Sequence, residues 1–223
     1  SRSVSGRHFF CNKNTVLCNE PQIFCYFCLL LIEKNTYHMG EHICFRRNER
    51  LATVNPHWRG NPVVRGKFVN RQHRFRPGMG SVLKWRLSPN PQRKEKKSVK
   101  WSPKLNYLRS LDGVVGNSLI WLGHNSFFLQ LGRKRIMFDP VFGDIPFVKR
   151  QSDFPANPDI FTDIDYLLIS HDHFDHLDKQ SVARLVKNNP GMKLFCGLGT
   201  GELIKGWFPE LEVTEAGWYQ QIE

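Results

Sequence analysis

The stretch "LLISHDHFDHLD", Leu167 to Asp178, begins with apolar residues and continues with three histidines and three aspartates. The run "DYLLIS" predicts a buried strand, because a short apolar segment with β-branched and aromatic residues suits a sheet interior. Residues two apart on a strand point the same way, so His171 and His173 are expected to reach one ion together. Asp175 and His176 come next, where the chain turns, and are placed to reach a second ion. The stretch therefore predicts a metal site at the carboxyl end of a strand.

The donor types in this stretch narrow the choice of ion. Imidazole nitrogen with carboxylate oxygen suits zinc, and one or two zinc ions are expected, with iron and manganese as alternatives. The competing interpretation is a structural hydrogen-bond network. We favour the metal site, because packing has no need of four potential ligands within six residues.

The segments around this stretch predict the fold class. "SLIWLG", "SFFLQL" and "RIMFDP" read as strands joined by hairpin turns at Gly123-His124-Asn125 and Gly132-Arg133. "DKQSVARLVKNNP" predicts a helix with Asp178 as its N-cap. "KLFC", "TGELIKGWF" and "LEVTEAG" then predict a strand, a helix and a strand. An antiparallel start that passes into strand–helix–strand alternation indicates a mixed α/β sandwich.

The charge of the 223-residue chain is unevenly distributed. The net charge is +12, yet residues 59–109 hold fifteen Lys and Arg against one acid, and residues 110–223 hold ten against fifteen. A basic stretch of this kind is more often solvated surface than a dedicated polyanion site. Its interleaved aromatic residues favour packing over base stacking, because no strand-borne aromatic motif accompanies them.

The composition also predicts three regions. Residues 1–54 lack organised periodicity and are expected to be a disordered or non-native extension. Residues 55–110 form a basic arm rich in Pro and Gly, expected to be extended, and residues 111–223 form the metal-binding domain. Five of the six cysteines fall in the first region, which fits a reducing compartment for the rest. They are Cys11, Cys18, Cys25, Cys28 and Cys44.

Two features of residues 1–54 give little support to a zinc site or to a membrane segment. Cys25 and Cys28 have the spacing of a zinc knuckle, but no second CxxC follows. The apolar run from Ile23 to Ile32 is too short to span a bilayer and lacks the cleavage site of a signal peptide. We therefore expect a cytoplasmic protein of unspecified oligomeric state, with peripheral membrane contact through the basic arm.

"HDHFDH" is similar to the HxHxDH signature of the metallo-β-lactamase superfamily, whose fold is an αβ/βα sandwich. "IWLGHNSFFLQLGRKRIMFDPVF" and "IDYLLISHDHFDHLD" resemble one branch of it. That branch holds the bacterial ascorbate-6-phosphate lactonase and the phospholipase D that hydrolyses N-acyl-phosphatidylethanolamine. The motifs "NPHW", "FRPGMG" and "LKWRLSPNPQ" resemble the same branch, so that the resemblance covers residues 55–223.

The resemblance implies roles for the motif residues. His171 and His173 match the ligands of a first metal, while Asp175 and His176 match catalytic ligands of a second. In the family, a hydroxide between the two ions attacks a phosphodiester or ester.

The sequence allows two roles for each of two further residues. Asp139 matches an Asp that holds a histidine in its tautomer, and a turn-capping role before Pro140 is the alternative. His124 either lines the pocket or is a structural histidine of its hairpin turn.

The resemblance also predicts that the sequence is incomplete. Full members carry a third histidine, a bridging Asp and a final histidine, yet no histidine follows His176 here. We therefore expect a C-terminally truncated fragment with weak or no activity, and half a sandwich with an exposed apolar sheet face. The expected substrate is a small-molecule or lipid phosphodiester or ester. The alternative is a non-catalytic or nucleic-acid-directed member, which is disfavoured because no nucleic-acid-binding motif is evident.

Overall fold

The computed structural model describes residues 42–70, 78–100, 104–145, 150 and 152–223. Four of the cysteines discussed above and the apolar run Ile23–Ile32 lie outside these residues. Among the described residues, no helix has the length and apolarity needed to cross a bilayer. Contacts divide the chain into two units, residues 1–45 with 62–93 and residues 46–61 with 94–223.

Short elements make up the segment that precedes the main sheet. Strand β1 spans Cys44–Arg46, β2 spans Asn61–Val64 and β3 spans Lys67–Phe68. Strands β2 and β3 pair antiparallel, with Val63 opposite Phe68. Helix α1 spans Met79–Leu87 and helix α2 spans Arg93–Ser98, and neither buries a residue. The expected extended arm thus includes two short helices that the Pro and Gly content did not indicate.

A six-stranded sheet organises the second unit, with its strands in sequence order. The strands are β4 (Ser118–Gly123), β5 (Ser126–Leu131), β6 (Lys134–Phe138), β7 (Tyr166–Ile169), β8 (Lys193–Gly197) and β9 (Glu212–Ala216). The pairs β4–β5 and β5–β6 are antiparallel. The pairs β6–β7, β7–β8 and β8–β9 are parallel. This mixed sheet confirms the predicted α/β fold class and its antiparallel start.

Helices join the parallel strands. A 3₁₀ turn spans Pro158–Ile160, helix α3 spans Lys179–Asn188 and helix α4 spans Thr200–Trp207. The side chain of Asp178 accepts a hydrogen bond from the Ser181 amide, which confirms Asp178 as the N-cap of α3. Such a cap satisfies an amide that has no partner inside the helix.

The core lies on one face of the sheet. Alternate residues of the strands are fully buried there, as the two-residue repeat of a strand requires. Leu122, Phe128, Met137, Leu167 and Leu194 are each wholly inaccessible to solvent. Val182, Leu185 and Ile204 of the two helices complete the same cluster. The core therefore fixes the strand ends, and with them the loops that follow the strands.

Residues just before position 55 are bonded to the far end of the chain, within the second unit. The Asn48 amide donates to Gln220 at 2.9 Å, and the Asn48 side chain donates to the Glu215 carbonyl at 2.8 Å. The Val54 amide donates to the Tyr219 carbonyl at 2.8 Å. Residues 48–54, expected to be part of an unrelated extension, thus close over the end of strand β9.

Candidate metal centre

Strand directions gather the predicted site residues at one edge of the main sheet. Strands β6 and β7 run parallel, so Asp139 and Ser170 follow their carboxyl ends at the same edge. Strand β5 runs antiparallel to β6, so the turn that precedes β5, Gly123-His124-Asn125, lies at this edge too. The topology therefore brings together three segments that are 14 or more residues apart in sequence.

His171 and His173 face each other across a short gap. His171 Nε2 lies 3.0 Å from His173 Nδ1, and the ring centroids are 4.5 Å apart. Two nitrogens that share a tetrahedral zinc ion at 2.0–2.1 Å lie about 3.3 Å apart. The spacing in the structure is close to that value, so the pair fits one ion with a small rotation of either ring.

The route by which these two histidines meet differs from the expectation. Strand β7 ends at Ile169, and residues 171–176 form bends and turns rather than strand. The prediction that His171 and His173 meet because they alternate along a strand was therefore wrong. They converge because the loop folds back on itself, with the His176 and Leu177 amides donating to the His173 carbonyl at 2.9 and 2.7 Å.

Asp139 orients His176 directly and His171 through Ser170. Its Oδ1 accepts the Ser170 amide at 2.7 Å, and its Oδ2 accepts the Ser170 hydroxyl at 2.6 Å. The same Oδ2 lies 2.8 Å from His176 Nδ1. Ser170 Oγ in turn lies 3.0 Å from His171 Nδ1 and 3.1 Å from His176 Nδ1. With the Nδ1 atoms held in this way, the Nε2 atoms lie on the side of His173 for one ring and of Asn125 for the other.

The hydrogen bonds of the Asp139 carboxylate reach Ser170 and His176, outside its own turn. The turn is fixed instead by Ser126, whose buried hydroxyl donates to the Asp139 carbonyl at 2.7 Å and accepts the Val141 amide at 3.0 Å. Of the two interpretations kept for Asp139, the geometry favours the histidine-orienting one. The sequence did not indicate Ser170 and Ser126, and only their positions beside His171 and at the start of strand β5 offered a signal.

A second group of donors lies beside the histidine pair. Asp175 Oδ2 is 3.0 Å from His124 Nε2 and 3.8 Å from His176 Nε2. The ligand atoms of these three residues all lie within 4.8 Å of one another. The ring centroids of His171 and His176 are 4.0 Å apart, so the two groups adjoin. His124, which was left open between two roles, thus reaches the site with its ring nitrogen.

Asn125 is another residue that the sequence did not indicate. Its amide nitrogen lies 3.0 Å from His176 Nε2 and donates to it. The contacts with Asn125 and Asp139 fit the tautomer in which Nδ1 donates to the carboxylate and Nε2 accepts from the amide. A metal ion at His176 would take over the lone pair that Asn125 occupies.

Electrostatics favour the metal-binding forms of two site residues. Burial lowers the pKa of His171, and the neighbouring His176 and His173 lower it further against the opposing effect of Asp139 and Asp175. Burial raises the pKa of Asp175, but a hydrogen bond to His124 and the charges of His176 and His124 bring it below its ordinary value. A neutral imidazole and an ionised carboxylate are the states that coordinate cations.

The arrangement fits one or two divalent cations by the chemistry of its donors. Four of the predicted ligands lie in one cluster, in which the donor atoms of His171 and His173 are 3.0 Å apart, those of Asp175 and His176 are 3.8 Å apart, and the rings of His171 and His176 are 4.0 Å apart. Asp139 and His124 lie beside them. All six predicted site residues are therefore brought together, while their ligand roles stay a prediction.

Comparisons with known proteins agree with the motif and its surroundings. Residues 134–223 match a family described as "Beta-lactamase superfamily domain". The chain is 28% identical over 182 residues to N-acyl-phosphatidylethanolamine-hydrolyzing phospholipase D 1 of Caenorhabditis elegans, covering 73% of this chain and 51% of that protein. It is 35% identical over 77 residues to a metal-dependent hydrolase of Saccharolobus solfataricus, and the match covers 34% of this chain and 31% of that protein. The resemblance to the metallo-β-lactamase superfamily is thus confirmed.

The same comparisons also give the share of each relative that the chain matches. The chain spans about half the length of the C. elegans protein and about a third of the archaeal one. Among solved structures, it is similar to a diiron beta-hydroxylase from Streptomyces venezuelae with a TM-score of 0.30 and 21% identity. That likeness covers 45% of this chain and 20% of the other.

Proposed function

We propose that this chain contributes the HxHxDH metal centre of a metal-dependent hydrolase that cleaves phosphodiesters. The observation that supports the proposal is the convergence of His171, His173, Asp175 and His176 at the carboxyl end of strand β7. Convergence without a metal would place three imidazoles and a carboxylate together for no packing gain. A named phospholipase D among the relatives favours a phosphodiester over a simple ester.

Each group has a chemical task in this proposal. A divalent ion in such a site supplies positive charge that activates water and stabilises the charge developing on the substrate. Asp139 and Ser170 hold the Nδ1 atoms of His171 and His176, so that the Nε2 atom of each ring would be the one offered to the ion. Asp175, with its lowered pKa, would be an ionised oxygen donor for such an ion.

The test measures metal first and turnover second. Zinc content after dialysis is compared for the unmodified chain, His171→Ala, Asp175→Ala and the control Asp172→Asn, which alters an exposed residue of the same motif. We expect the first two substitutions to abolish tight zinc binding and the control to retain it. A chain that binds no zinc, or binds it equally well in all four forms, contradicts the proposal.

The substrate class needs a second assay, because the chain spans about half of its C. elegans relative. The chain is joined to the remaining part of that relative and assayed with bis-p-nitrophenyl phosphate and with p-nitrophenyl acetate. We expect hydrolysis of the phosphodiester that is lost in Asp175→Ala. Hydrolysis of the acetate alone would contradict the phosphodiester assignment while leaving the metal centre in place.

We also propose that helix α1 contacts anionic membrane surfaces. Its Met79, Leu83, Trp85 and Leu87 are 54–78% exposed, and Lys84 and Arg86 lie among them. Exposed apolar and aromatic side chains mixed with cations are typical of interfacial segments. We expect co-sedimentation with vesicles that contain phosphatidylserine and reduced binding in Trp85→Ala. Equal binding to purely zwitterionic vesicles would count against the charge-based part of this proposal.

A further inference from the structure

The edge of the main sheet that carries the metal centre continues beyond it towards strands β8 and β9. Both strands run parallel to the strand before them, so Leu198 and Gly217 follow their carboxyl ends at the same edge as Ser170. The ends of β7 and β8 adjoin, since a Cβ built on Gly197 would lie 3.9 Å from the Ser170 carbonyl oxygen. Neighbouring strands are about 5 Å apart, which places the end of β9 about 10 Å from the end of β7.

Apolar side chains gather at this part of the edge. The rings of Trp58 and Tyr219 pack edge to face, with their centroids 6.2 Å apart. A Cβ built on Gly217 would lie 2.7 Å from Trp58 Cη2 and 3.0 Å from Leu198 Cδ1, so both side chains rest directly on that glycine. Tyr219 is 53% exposed, and Trp58 and Leu198 are half-buried. We call the side chains of Trp58, Leu198 and Tyr219 the apolar patch.

Hydrogen bonds fix the turn that carries Tyr219. Its carbonyl accepts the Val54 amide at 2.8 Å and the Thr53 hydroxyl at 2.9 Å. The Trp218 amide donates to the Asn61 side chain at 3.0 Å. A surface whose backbone is already held loses little conformational freedom when a ligand covers it. The apolar patch is therefore held in place before any ligand arrives.

The two directions along the edge differ in chemistry. From β7 towards β6 and β5, the side chains beside the motif are polar and include Asp139, His124 and Asn125. From β7 towards β8 and β9, the apolar patch follows. A phosphodiester has two substituents, and one directed towards β9 would meet aromatic and aliphatic side chains. Such side chains bind apolar groups, because contact removes apolar surface from water.

We infer that the apolar patch is a substrate subsite that binds an apolar substituent of the phosphodiester. This inference rests on the proposed function, since it assigns a substrate preference to the same centre. The separation of about 10 Å between the ends of β7 and β9 is close to the length of an extended octyl chain. The patch residues determine specificity in this assignment and do not contact the reacting atoms.

The competing explanation is that the apolar patch only packs residues 53–61 against the end of strand β9. The two explanations differ in how the chain responds to an alkyl group on a phosphate. Octyl phosphate and methyl phosphate are suitable probes, because they share the phosphoryl group and differ only in the alkyl chain. Packing alone predicts equal binding of the two, whereas a subsite predicts a preference for octyl phosphate.

The experiment titrates each phosphate into the zinc-loaded chain and follows the indole N–H resonances by NMR, with octyl phosphate below its micelle-forming concentration. We expect octyl phosphate to bind more than about 10-fold more tightly than methyl phosphate, because each buried methylene adds to the affinity. We also expect it to shift the Trp58 resonance. Trp207, which is likewise half-buried and lies on helix α4, is the internal control. Equal shifts of Trp58 and Trp207 would show non-specific adsorption and overturn the inference.

Substitutions test the patch itself. Tyr219→Ala and Leu198→Ala each remove one part of it, and Tyr107→Ala removes a 61% exposed tyrosine elsewhere as the matched control. We expect the first two to weaken octyl phosphate binding by at least about 3-fold, because each removes part of the covering apolar surface. Methyl phosphate binding is expected to be the same in all forms, which also establishes that the variants fold alike.

The outcomes separate the subsite from the metal centre. Equal affinities for the two phosphates, or octyl phosphate binding that survives both substitutions, would overturn the inference. Zinc-dependent binding of methyl phosphate would in that case leave the proposed function intact. Octyl phosphate that binds equally well after zinc is removed would also overturn the subsite, because its phosphoryl group would not then lie at the metal centre. A chain in which zinc promotes the binding of neither phosphate contradicts both proposals.

Discussion

At the scale of single residues, Asp139 connects the most parts of the metal centre. One carboxylate accepts the Ser170 amide, the Ser170 hydroxyl and the His176 ring N–H. The residue is nearly buried, with 10% of its side chain exposed, so these bonds are little weakened by water. The orientation of His171 and His176, two candidate ligands, therefore depends on one side chain.

We expect Asp139→Asn to weaken zinc binding by about 10–100-fold with little loss of helix or sheet content. The amide retains the shape of the carboxylate but offers one acceptor oxygen where two are used. Chelator competition gives the affinity, and Asp172→Asn, an exposed aspartate of the motif, serves as control. Equal affinities in the two variants would show that Asp139 has no orienting role.

Cys196 is the second residue for which a specific outcome follows. Burial and, to a smaller extent, the nearby Glu215 raise the pKa of its thiol to about 12 against a lowering by Lys205. Because the thiolate is the reactive form, we expect iodoacetamide at pH 8 to spare Cys196 in the folded chain and to modify it in urea. Exposed Cys44 is the internal control. Mass spectrometry of peptides measures both, and rapid native modification of Cys196 would contradict its burial.

At the scale of elements, Asp165 connects the three central strands. Its carboxylate accepts the Arg135 amide at 2.9 Å and pairs with Lys134 on strand β6. Its carbonyl accepts the Lys193 amide at the start of strand β8, at 3.0 Å. Burial raises the pKa of Asp165, but the bonds from Lys134 and the Arg135 amide together bring it below the ordinary value.

The stability contributed by Asp165 has a definite pH dependence. A folded pKa below the unfolded value of about 3.9 means that the contribution is present above that pH and is lost as pH falls through the folded pKa. We expect Asp165→Asn to lower the free energy of unfolding by about 1 kcal/mol at pH 7. The difference from the unmodified chain is expected to shrink below about pH 4.

Urea unfolding at pH 7 and at pH 3.5 measures this effect. Asp163→Asn is the control, because the Asp163 side chain is 86% exposed and its ion pair with Arg135 lies in water. A pH-independent difference for Asp165→Asn, or an equal effect in the control, would show that the charge at Asp165 does not support the strand junction.

At the scale of the whole molecule, the second face of the main sheet is apolar and, among the described residues, partly exposed. Trp121, Phe127, Phe138, Leu168 and Phe195 lie opposite one another in register across five strands. Residues paired in this way share a face, and this is the face away from the buried core. Leu119 is 66% exposed and Leu131 is 47% exposed on it. The expected exposed apolar face is therefore present among the described residues.

We expect this face to bind the dye ANS and the double substitution Leu119→Glu with Leu131→Glu to reduce the dye fluorescence severalfold. Exposed apolar patches of this extent bind apolar molecules, and two carboxylates would interrupt the patch. Leu203→Glu, at a 42% exposed position on helix α4, is the control. Dye fluorescence that is the same in all three proteins would show that the face is not accessible in solution.

The amino-acid sequence by itself determined most elements of the main sheet and named the candidate donors. Alternating and continuous apolar runs gave strands β4 and β5 at their observed bounds, and Asp178 gave the start of helix α3, because these signals are local. The spacing of His171, His173, Asp175 and His176 predicted a cation site because donors so near in sequence reach one cavity in almost any loop.

Only the tertiary structure decided which residues distant in sequence join the cluster of candidate donors. His124, Asn125 and Asp139 approach the motif because β5 runs antiparallel to β6 and β6 runs parallel to β7. That pairing is set by burial of one sheet face, a property of the whole chain that no local window contains. The sequence thus named the donors, and the order of the strands determined the neighbours that orient them.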